Sequence, residues 1–467
     1  MIQASSSRRN FIATSAIAAG GLFVHPSLAH IIQRNEKIKI VLVGTGIRGN
    51  DFWGKRLMDE YGDIIEFVGL CDINEGRLAF GKEYIGTDCK TFLDFDEMMA
   101  NTKPDLLIVT TVDSTHDEFI IKGLDLNIAV FSEKPMTTDE KKCQNILDAE
   151  RRSEKEIIIG FNYRYNPHYT KLKELLSTNR VGKITSVDFH WYLNVYHGAS
   201  YFRRWHGYKD KGGSLLVHKA THHFDLLNWW LDSDPVEVKA YGELEHYGKN
   251  NSFRGDNCRS CEHKDSCKFY WDITTSSFLT KLYTDNEKYD GYVRDSCVWR
   301  EDIDIYDKMS AQIKYANGVM VNYSLTTYSP YEGMRIAFNG FDGRIDAWDG
   351  IPWRSDEKRI QSSLHEQEMS QNDEEQDFEE IFVADNFGEY EQVKVLRERA
   401  GHGGGDKRLQ DKIFVDPKAA DPLKHSAGSR DGAMSILIGI AARKSIEENR
   451  VVRIEELTDL KPSATRS

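Results

Sequence analysis

Two sets of residues could move a proton to or from a substrate. Lys134 lies between Glu133 and Pro135 at the end of an apolar run, where its ammonium could bind a hydroxyl and stabilise negative charge on it. His218 and His222 are one helical turn apart on the same face of a predicted helix. An imidazole titrates near neutrality, so either histidine could take up the proton of an alcohol. These residue types suit the oxidation of a secondary hydroxyl.

Metal binding is the alternative chemistry. Two histidines at this spacing can bind zinc, but Lys219 stands where a zinc peptidase has its glutamate, so zinc catalysis is a minor alternative. Lys219 and His223 form a second pair on another helix face, where they could be solvated. Four cysteines could close a structural zinc site or form two disulfides: Cys258, Cys261, Cys267 and Cys297.

The elements that position Lys134 read as a dinucleotide-binding domain. Residues 37–44 (KIKIVLVG) form a continuous apolar run typical of a buried parallel strand, and the sequence GTGIRG follows with a helical pattern behind it. Gly44, Gly46 and Gly49 would let a pyrophosphate approach the backbone at the helix N-terminus. A second strand ends in Asp72, whose carboxylate should accept hydrogen bonds from a ribose and repel a 2′-phosphate. NAD is therefore predicted over NADP.

Strands alternate with helical stretches through the rest of this region. Further apolar runs at 105–110, 127–131 and 156–160 predict three more parallel strands. The fold class predicted for residues 36–160 is an α/β Rossmann domain with a doubly wound parallel sheet.

A series of motifs resembles the Gfo/Idh/MocA family of sugar and polyol oxidoreductases. The matching segments, in order, are residues 111–116 (TVDSTH, with Val112 in place of the family's proline), Glu133-Lys134-Pro135, residues 160–164 (GFNYR), the helix at 212–225, and the closing helix and strand at 428–453. The resemblance implies a second, α+β domain at 161–455 with a large, mostly antiparallel open sheet. Between its strands we expect a cysteine-containing insertion at about 250–300 and an exposed acidic segment at about 357–385.

The same resemblance implies the site residues. Lys134 with His222 or His218 would be catalytic, and the choice of base stays open because the family usually has an aspartate where His218 stands. The predicted cofactor contacts are Gly44, Gly46, Ile47, Arg48, Gly49, Asp72, Thr110, Thr111, His116, Glu133 and Lys134. The predicted substrate contacts are Arg164, Arg204, Trp205, His222 and His402.

A glycine-rich segment supplies an alternative function. Residues 401–406 (GHGGGD) resemble a loop of NAD-dependent N-acetylgalactosaminidases, which oxidise a sugar transiently, break the glycosidic bond and return the hydride. The leading prediction is a plain NAD-dependent oxidoreductase acting on a sugar, glycoside or polyol. A non-catalytic sugar-binding protein on a Rossmann scaffold is the second alternative.

The N-terminus and the overall charge bear on location and partners. Arg8 and Arg9 precede a short apolar run and a small-residue cleavage site, so residues 1–29 are predicted to be a twin-arginine signal peptide that directs the folded chain to the periplasm. No other segment predicts stable membrane insertion. A net charge of −13 argues against a general nucleic-acid binder. The predicted partners are a small carbohydrate, the export machinery and possible further copies of the chain.

Overall fold

The computed structural model describes residues 36–350, 378–398 and 401–466. The predicted signal peptide and residues 357–377 of the predicted acidic segment lie outside this part of the chain. The described remainder of that acidic segment is a strand, Phe378–Asp385. Across the described ranges, every helix is too short or too polar to cross a bilayer.

The first domain is built on a six-stranded parallel sheet. Its strand order is β3-β2-β1-β4-β5-β6, the doubly wound arrangement predicted from the sequence. β1 is buried on both faces because helices cover both sides of the sheet. The strands are β1 (Ile38–Val43), β2 (Ile65–Cys71), β3 (Lys90–Phe92), β4 (Leu106–Val109), β5 (Ala129–Ser132) and β6 (Ile157–Ile159).

Helices connect these strands, and several begin at side chains that cap their first turn. The side chains of Asn74, Asp94 and Asp139 each accept a hydrogen bond from a backbone N–H in the following turn. The helices are α1 (Arg48–Arg56), α2 (Leu57–Tyr61), α3 (Glu75–Ile85), α4 (Phe95–Asn101), α5 (His116–Asp125) and α6 (Glu140–Arg152).

The second domain contains a nine-stranded sheet among the described residues. The order is β14-β13-β12-β11-β7-β10-β9-β8-β15, and every neighbouring pair is antiparallel except β7 with β10. A turn at Asn317 and Gly318 joins β9 to β10, and Gly318 has a φ of +91°. The strands are β7 (Ile184–Asn194), β8 (Pro235–Glu243), β9 (Lys308–Tyr315), β10 (Met320–Ser329), β11 (Gly333–Gly340), β12 (Gly343–Asp349), β13 (Phe378–Asp385), β14 (Tyr390–Leu396) and β15 (Val452–Arg453).

Helices pack on one face of this sheet and join the two domains. The long C-terminal helix packs against β8 and against the helix that carries His222. The helices are α7 (Pro167–Ser177), α8 (Val195–Arg203), α9 (Lys209–Gly212), α10 (Leu215–His218), α11 (Ala220–Leu231), α12 (Ser277–Leu282), α13 (Glu287–Asp290), α14 (Gly405–Phe414) and α15 (Ser429–Glu448). α10 and α11 place His218 and His222 opposite the carboxyl ends of β4 and β5, where open α/β sheets bind ligands.

Candidate active site

The loop after β1 has the shape of a pyrophosphate cradle. Gly44 has a φ of +93°, and a Cβ there would lie 2.6 Å from the backbone of Thr110. A Cβ on Gly49 would lie 2.1 Å from the carbonyl oxygen of Gly44. The Thr110 hydroxyl donates to that same oxygen at 2.6 Å. Only glycine fits the first and last positions, so the loop brings backbone N–H groups close together at the start of α1.

Asp72 lies beside this loop at the end of β2, as predicted. Its carboxylate accepts hydrogen bonds from the backbone and hydroxyl of Thr45 at 2.7 and 3.0 Å, and from Arg77 at 3.0 Å. Arg77 also pairs with Asp290 of the insertion at 2.6 Å. Two carboxylates thus share one guanidinium here, and this end of the cradle is unfavourable for a 2′-phosphate.

The cysteine-containing insertion covers the glycine loop. The Tyr283 hydroxyl accepts a hydrogen bond from the backbone N–H of Ile47 at 2.9 Å. The Asn286 carbonyl accepts one from the Asn74 side chain at 2.9 Å. These contacts could not be predicted from the glycine motif, because Ile47 and Tyr283 are 236 positions apart in the sequence.

Arg48 points away from the cradle and joins three parts of the chain. It donates to Glu133 at 2.6 Å and to Asp406 at 3.0 Å, and its guanidinium lies 3.7 Å from the centre of the Phe52 ring. Trp53 donates to the same Glu133 oxygen as Arg48, at 2.8 Å. Burial alone would raise the pKa of Glu133, but Arg48 and Trp53 outweigh it and lower that pKa. Glu133 is therefore an ionised anchor beside the site.

Thr111 and His116 shape the neighbouring loop. The two ring nitrogens of His116 contact the carbonyls of Pro135 at 2.8 Å and Thr111 at 3.2 Å, and the Thr111 hydroxyl accepts a hydrogen bond from Thr115 at 2.9 Å. Burial lowers the pKa of His116, so its neutral ring has one N–H and donates to only one of these carbonyls. The cofactor contact of His116 stays a prediction.

Lys134 lies where β5 ends, with its ammonium 3.4 Å from the carbonyl oxygen of His218. Burial lowers the pKa of Lys134 to about 8, although the nearby carboxylates of Asp113 and Glu133 oppose that effect. The amine is thus poised to change its charge close to neutral pH.

Asp113 supplies a carboxylate that the sequence analysis did not assign. Its Oδ2 lies 2.5 Å from Nδ1 of His218, although the two residues are 105 positions apart and belong to different domains. Burial raises the pKa of Asp113 and lowers the pKa of His218, and the Lys134 charge lowers the His218 pKa further. One feature of the sequence could have led to Asp113. Position 218 holds a histidine where the family usually has an aspartate, so the carboxylate that orients the base has to come from another segment.

His222 has a different setting one turn along the chain. Its ring stacks on Tyr163 with a centroid separation of 4.1 Å, and it lies 6.3 Å from the ring of His402. Its Nδ1 is buried without a hydrogen-bond partner among the described residues. Burial, followed by the Lys134 charge, lowers the pKa of His222. His222 is therefore neutral and is not oriented by a carboxylate.

Lys219 and His223 are buried, which corrects the expectation that they could be solvated. Lys219 is 4% exposed and donates to the Tyr163 hydroxyl at 2.9 Å. His223 is fully buried, stacks on Trp191 and lies 2.7 Å from the Tyr323 hydroxyl. Every residue of the helix Ala220–Leu231 is buried, so periodicity could not separate a site face from a solvent face.

Arg164 lies away from this centre, and a substrate contact does not fit its placement. It is 1% exposed, pairs with Asp225 at 2.6 Å and Asp431 at 2.7 Å, and donates to the carbonyl of Lys424 at 3.0 Å. Its donors are consumed inside the second domain. The motif at 160–164 therefore marks a structural ion-pair network.

Two further predicted substrate residues, Trp205 and Arg204, lie on the His218 side of the site. Trp205 stacks on His206 at 3.6 Å and meets the His218 ring edge-on at 5.8 Å. The Arg204 guanidinium lies 5.3 Å from the centre of the Tyr201 ring. These aromatic and guanidinium groups form a wall suited to a sugar ring.

The glycine-rich segment 401–406 also reaches the site. His402 lies 2.9 Å from the Asp406 carboxylate, and its ring is 5.6 Å from that of Tyr163. Asp406 in turn binds Arg48 and accepts a hydrogen bond from Asn162 at 2.6 Å. His402 is thus held on the His222 side, opposite the Asp113–His218 pair.

The four insertion cysteines line one cavity but form neither predicted arrangement. All four thiols are free, so the disulfide alternative is not formed. Among the described residues, no three histidine, cysteine or carboxylate side chains are placed to hold a metal ion. The Cys258 sulfur instead accepts a hydrogen bond from Arg203 at 3.0 Å. Four thiols are a suitable donor set for structural zinc, but their placement among the described residues does not show a zinc site.

Comparison with known proteins decides the family. Residues 38–161 match the family description "Oxidoreductase family, NAD-binding Rossmann fold", and residues 173–454 match "Oxidoreductase family, C-terminal alpha/beta domain" of the same Gfo/Idh/MocA family. The chain belongs to the Gfo/Idh/MocA oxidoreductase family. Its first domain is that family's NAD-binding Rossmann domain.

Relatives within the Gfo/Idh/MocA family differ in how much of this chain they match. The chain is 35% identical to the protein YteT of Bacillus subtilis over 438 residues, which cover 90% of this chain and 98% of YteT. It is 26% identical to inositol 2-dehydrogenase of Salmonella typhimurium over 205 residues, which cover 44% of this chain and 57% of that enzyme.

Solved structures share the two-domain fold. The WlbA dehydrogenase of Bordetella pertussis, solved with NADH and UDP-GlcNAcA, has a TM-score of 0.60 at 17% identity, covering 90% of this chain and 98% of WlbA. The myo-inositol 2-dehydrogenase of Lactobacillus plantarum has a TM-score of 0.58 at 15% identity, covering 90% and 99%. At these identities the likeness establishes the fold alone.

Proposed function

We propose that the chain is an NAD-dependent dehydrogenase that oxidises a secondary hydroxyl of a sugar, glycoside or polyol, or reduces the matching ketone. The observation that carries the proposal is the contact between Asp113 and His218 at 2.5 Å, with Lys134 beside it. This triplet lies at the carboxyl edge of the same sheet that carries the glycine cradle.

His218 is the base in this proposal. The Asp113 carboxylate accepts the Nδ1 proton of His218, which leaves Nε2 free to accept a proton from the substrate. Burial keeps the pKa of His218 low, so the ring is neutral and available as an acceptor. Asp113 also stabilises the imidazolium formed when the substrate proton arrives.

Lys134 stabilises the charge that develops on oxygen. Its ammonium donates to the substrate hydroxyl oxygen while the O–H proton moves to Nε2 of His218. A bound NAD would supply the acceptor for the hydride that leaves the carbinol carbon as that carbon becomes a carbonyl. The residues that would hold NAD are the glycine loop and Asp72, with Tyr283 and Asn286 covering them.

The choice of NAD over NADP follows from charge. Asp72 and Asp290 both lie at the end of the cradle where a ribose would bind, and Arg77 is shared between them. The relatives named inositol 2-dehydrogenase support a polyol or sugar ring as the substrate.

The test is to identify the bound nucleotide and then to follow turnover. Pure protein is denatured and the released nucleotide is identified by mass; we expect NAD or NADH. The intact protein is then screened against sugars, glycosides and polyols, and we expect one ketone formed per NADH. Preferential binding of NADP, or substrate turnover without any nucleotide, would refute the proposal.

A redox-assisted glycosidase is the second candidate, favoured by the position of His402. Its ring lies 6.3 Å from His222, so an additional acid or base faces the site from outside the dehydrogenase triplet. The products separate the two candidates. The glycosidase releases an aglycone without net NADH and incorporates solvent deuterium into the sugar, whereas the dehydrogenase accumulates NADH.

We also propose that the twin-arginine segment exports the folded enzyme to the periplasm. That route carries folded proteins, so the enzyme could acquire NAD in the cytoplasm first. We expect Arg8→Lys with Arg9→Lys to retain folded protein in the cytoplasm, as judged by cell fractionation. Unimpaired export of this variant would contradict the proposal.

A further inference from the structure

Within the part of the chain that the structure describes, two arginines near the proton-handling triplet have no carboxylate partner. Arg204 donates through Nε to the carbonyl of Ser200 at 2.8 Å, and among the described residues no ion pair involves its guanidinium. Arg294 lies 4.5 Å from the centre of the Tyr283 ring, and its Nε is buried without a hydrogen-bond partner in the same part of the chain. Both arginines are half-buried, so their guanidinium donors can meet a ligand that enters the site from outside the protein.

The two arginines are neighbours although they come from different segments. Burial lowers the pKa of Arg204, and the charge of Arg294 lowers it further. Both charges also act on His206, whose pKa burial lowers first. Because Trp205 and His206 pack against His218, the arginines lie on the substrate side of the base.

The local charge is strongly unbalanced. The positive groups that act on His218 are Lys134, Arg204 and Lys219. Arg294 acts on the adjoining Arg204 and His206. Two carboxylates face these groups. Asp113 is paired with His218, and Glu133 is paired with Arg48. Glu332 adds charge near Lys219 but is held by His197 at 3.0 Å. A cationic pocket of this kind is stabilised when an anion enters it.

We infer that the substrate carries a carboxylate, as in a hexuronic acid or its glycosides, and that Arg204 and Arg294 bind it. A guanidinium presents paired N–H donors that match the two oxygens of a carboxylate. The carboxylate would then hold the sugar ring against Trp205, with a ring hydroxyl between Lys134 and His218. This inference rests on the proposed function and narrows its substrate class.

The nucleotide is the other possible anion, and the geometry favours the substrate. The Tyr283 ring separates Arg294 from the glycine loop, since its hydroxyl binds the Ile47 N–H while its face meets the guanidinium. The loop already offers the backbone N–H groups at the start of α1 to a pyrophosphate. Arg204 contacts Tyr201, whose ring lies 5.4 Å from His218.

The test compares each acid with its neutral counterpart on the protein with its own nucleotide. Binding of glucuronate and galacturonate is measured by calorimetry against glucose and galactose, and we expect at least one acid to bind more tightly. Arg204→Gln and Arg294→Gln should each reduce that preference by roughly tenfold to a hundredfold, the range for one charge-assisted hydrogen bond. Arg254→Gln is the matched control, because Arg254 is an exposed arginine of the same insertion that pairs with Glu301.

A second readout separates ligand binding from a structural role. In the absence of acid, Arg294→Gln should raise the thermal midpoint because it removes a repelling, unpaired charge. Three results would overturn the inference. They are a lower thermal midpoint, release of the nucleotide by either variant, and acids that bind no better than neutral sugars, which includes the case in which no sugar or acid binds. Normal oxidation of a neutral sugar would overturn it while leaving the dehydrogenase proposal intact.

Discussion

The two halves of the site are assembled in different ways. In the cofactor half, Thr45 and Asp72 meet across 27 positions of one βαβ unit, and the glycine loop is a continuous segment. In the substrate half, Asp113 meets His218 across 105 positions and a domain boundary. Local sequence fixes the first half, whereas the second exists only once the domains pack together.

This difference predicts that the two halves can be damaged separately. Substitutions in the substrate half should lower hydride transfer while nucleotide binding persists. Substitutions in the cover of the cofactor half should alter nucleotide release while the chemistry of the bound state persists.

Removing the Lys134 charge is expected to have a large effect on the rate. Lys134→Met keeps the bulk of the side chain but deletes the ammonium that stabilises the developing alkoxide. We expect hydride transfer to slow by roughly 10²–10³, typical for loss of one such donor. Stopped-flow NADH formation measures the rate, and equilibrium titration measures NAD affinity. Full turnover by this variant would remove Lys134 from the mechanism.

The pH dependence should reflect the same ammonium. The pKa of Lys134 is lowered to about 8, chiefly by burial, so the ammonium is present below that pH and is lost above it. Because oxidation needs the charged form, kcat/KM should fall as the pH rises through about 8. Lys134→Arg should move this limb to higher pH, because a guanidinium stays protonated. An unchanged limb in that variant would assign it to another group.

The smallest expected effect tests the cover of the cofactor half. Tyr283→Phe removes the hydroxyl that binds the Ile47 N–H and keeps the ring beneath Arg294. Loss of one hydrogen bond, about 1 kcal/mol, should speed nucleotide release about fivefold. Tyr289→Phe is the control, because Tyr289 lies on the exposed side of the same insertion. Equal release from both variants would mean that Tyr283 does not hold the cofactor in place.

The cofactor half could be predicted from the sequence better than the substrate half. The doubly wound sheet, the cradle glycines, Asp72 and Lys134 were predictable because strand and loop motifs report on neighbours that are close in sequence. β3 was missed since it has three residues, two of them exposed. The antiparallel second sheet was expected only from the family resemblance.

The errors lie where tertiary contacts decide the role of a residue. Arg164 was predicted to contact substrate, but Asp225 and Asp431 bind it within the core. Asp113 and Arg294 were not assigned, because their partners lie in other segments of the chain. A sequence motif gives the type of such a residue but not the direction in which its side chain points.

The most direct test of the account is Asp113→Asn, measured in two ways on one sample. The asparagine keeps the size of the side chain but removes the carboxylate that orients His218. We expect hydride transfer to fall by roughly 10²–10⁴, the range for general-base catalysis, while NAD affinity changes by no more than about twofold. Hydride transfer at the normal rate, or a loss of NAD affinity as large as the loss of rate, would contradict the account.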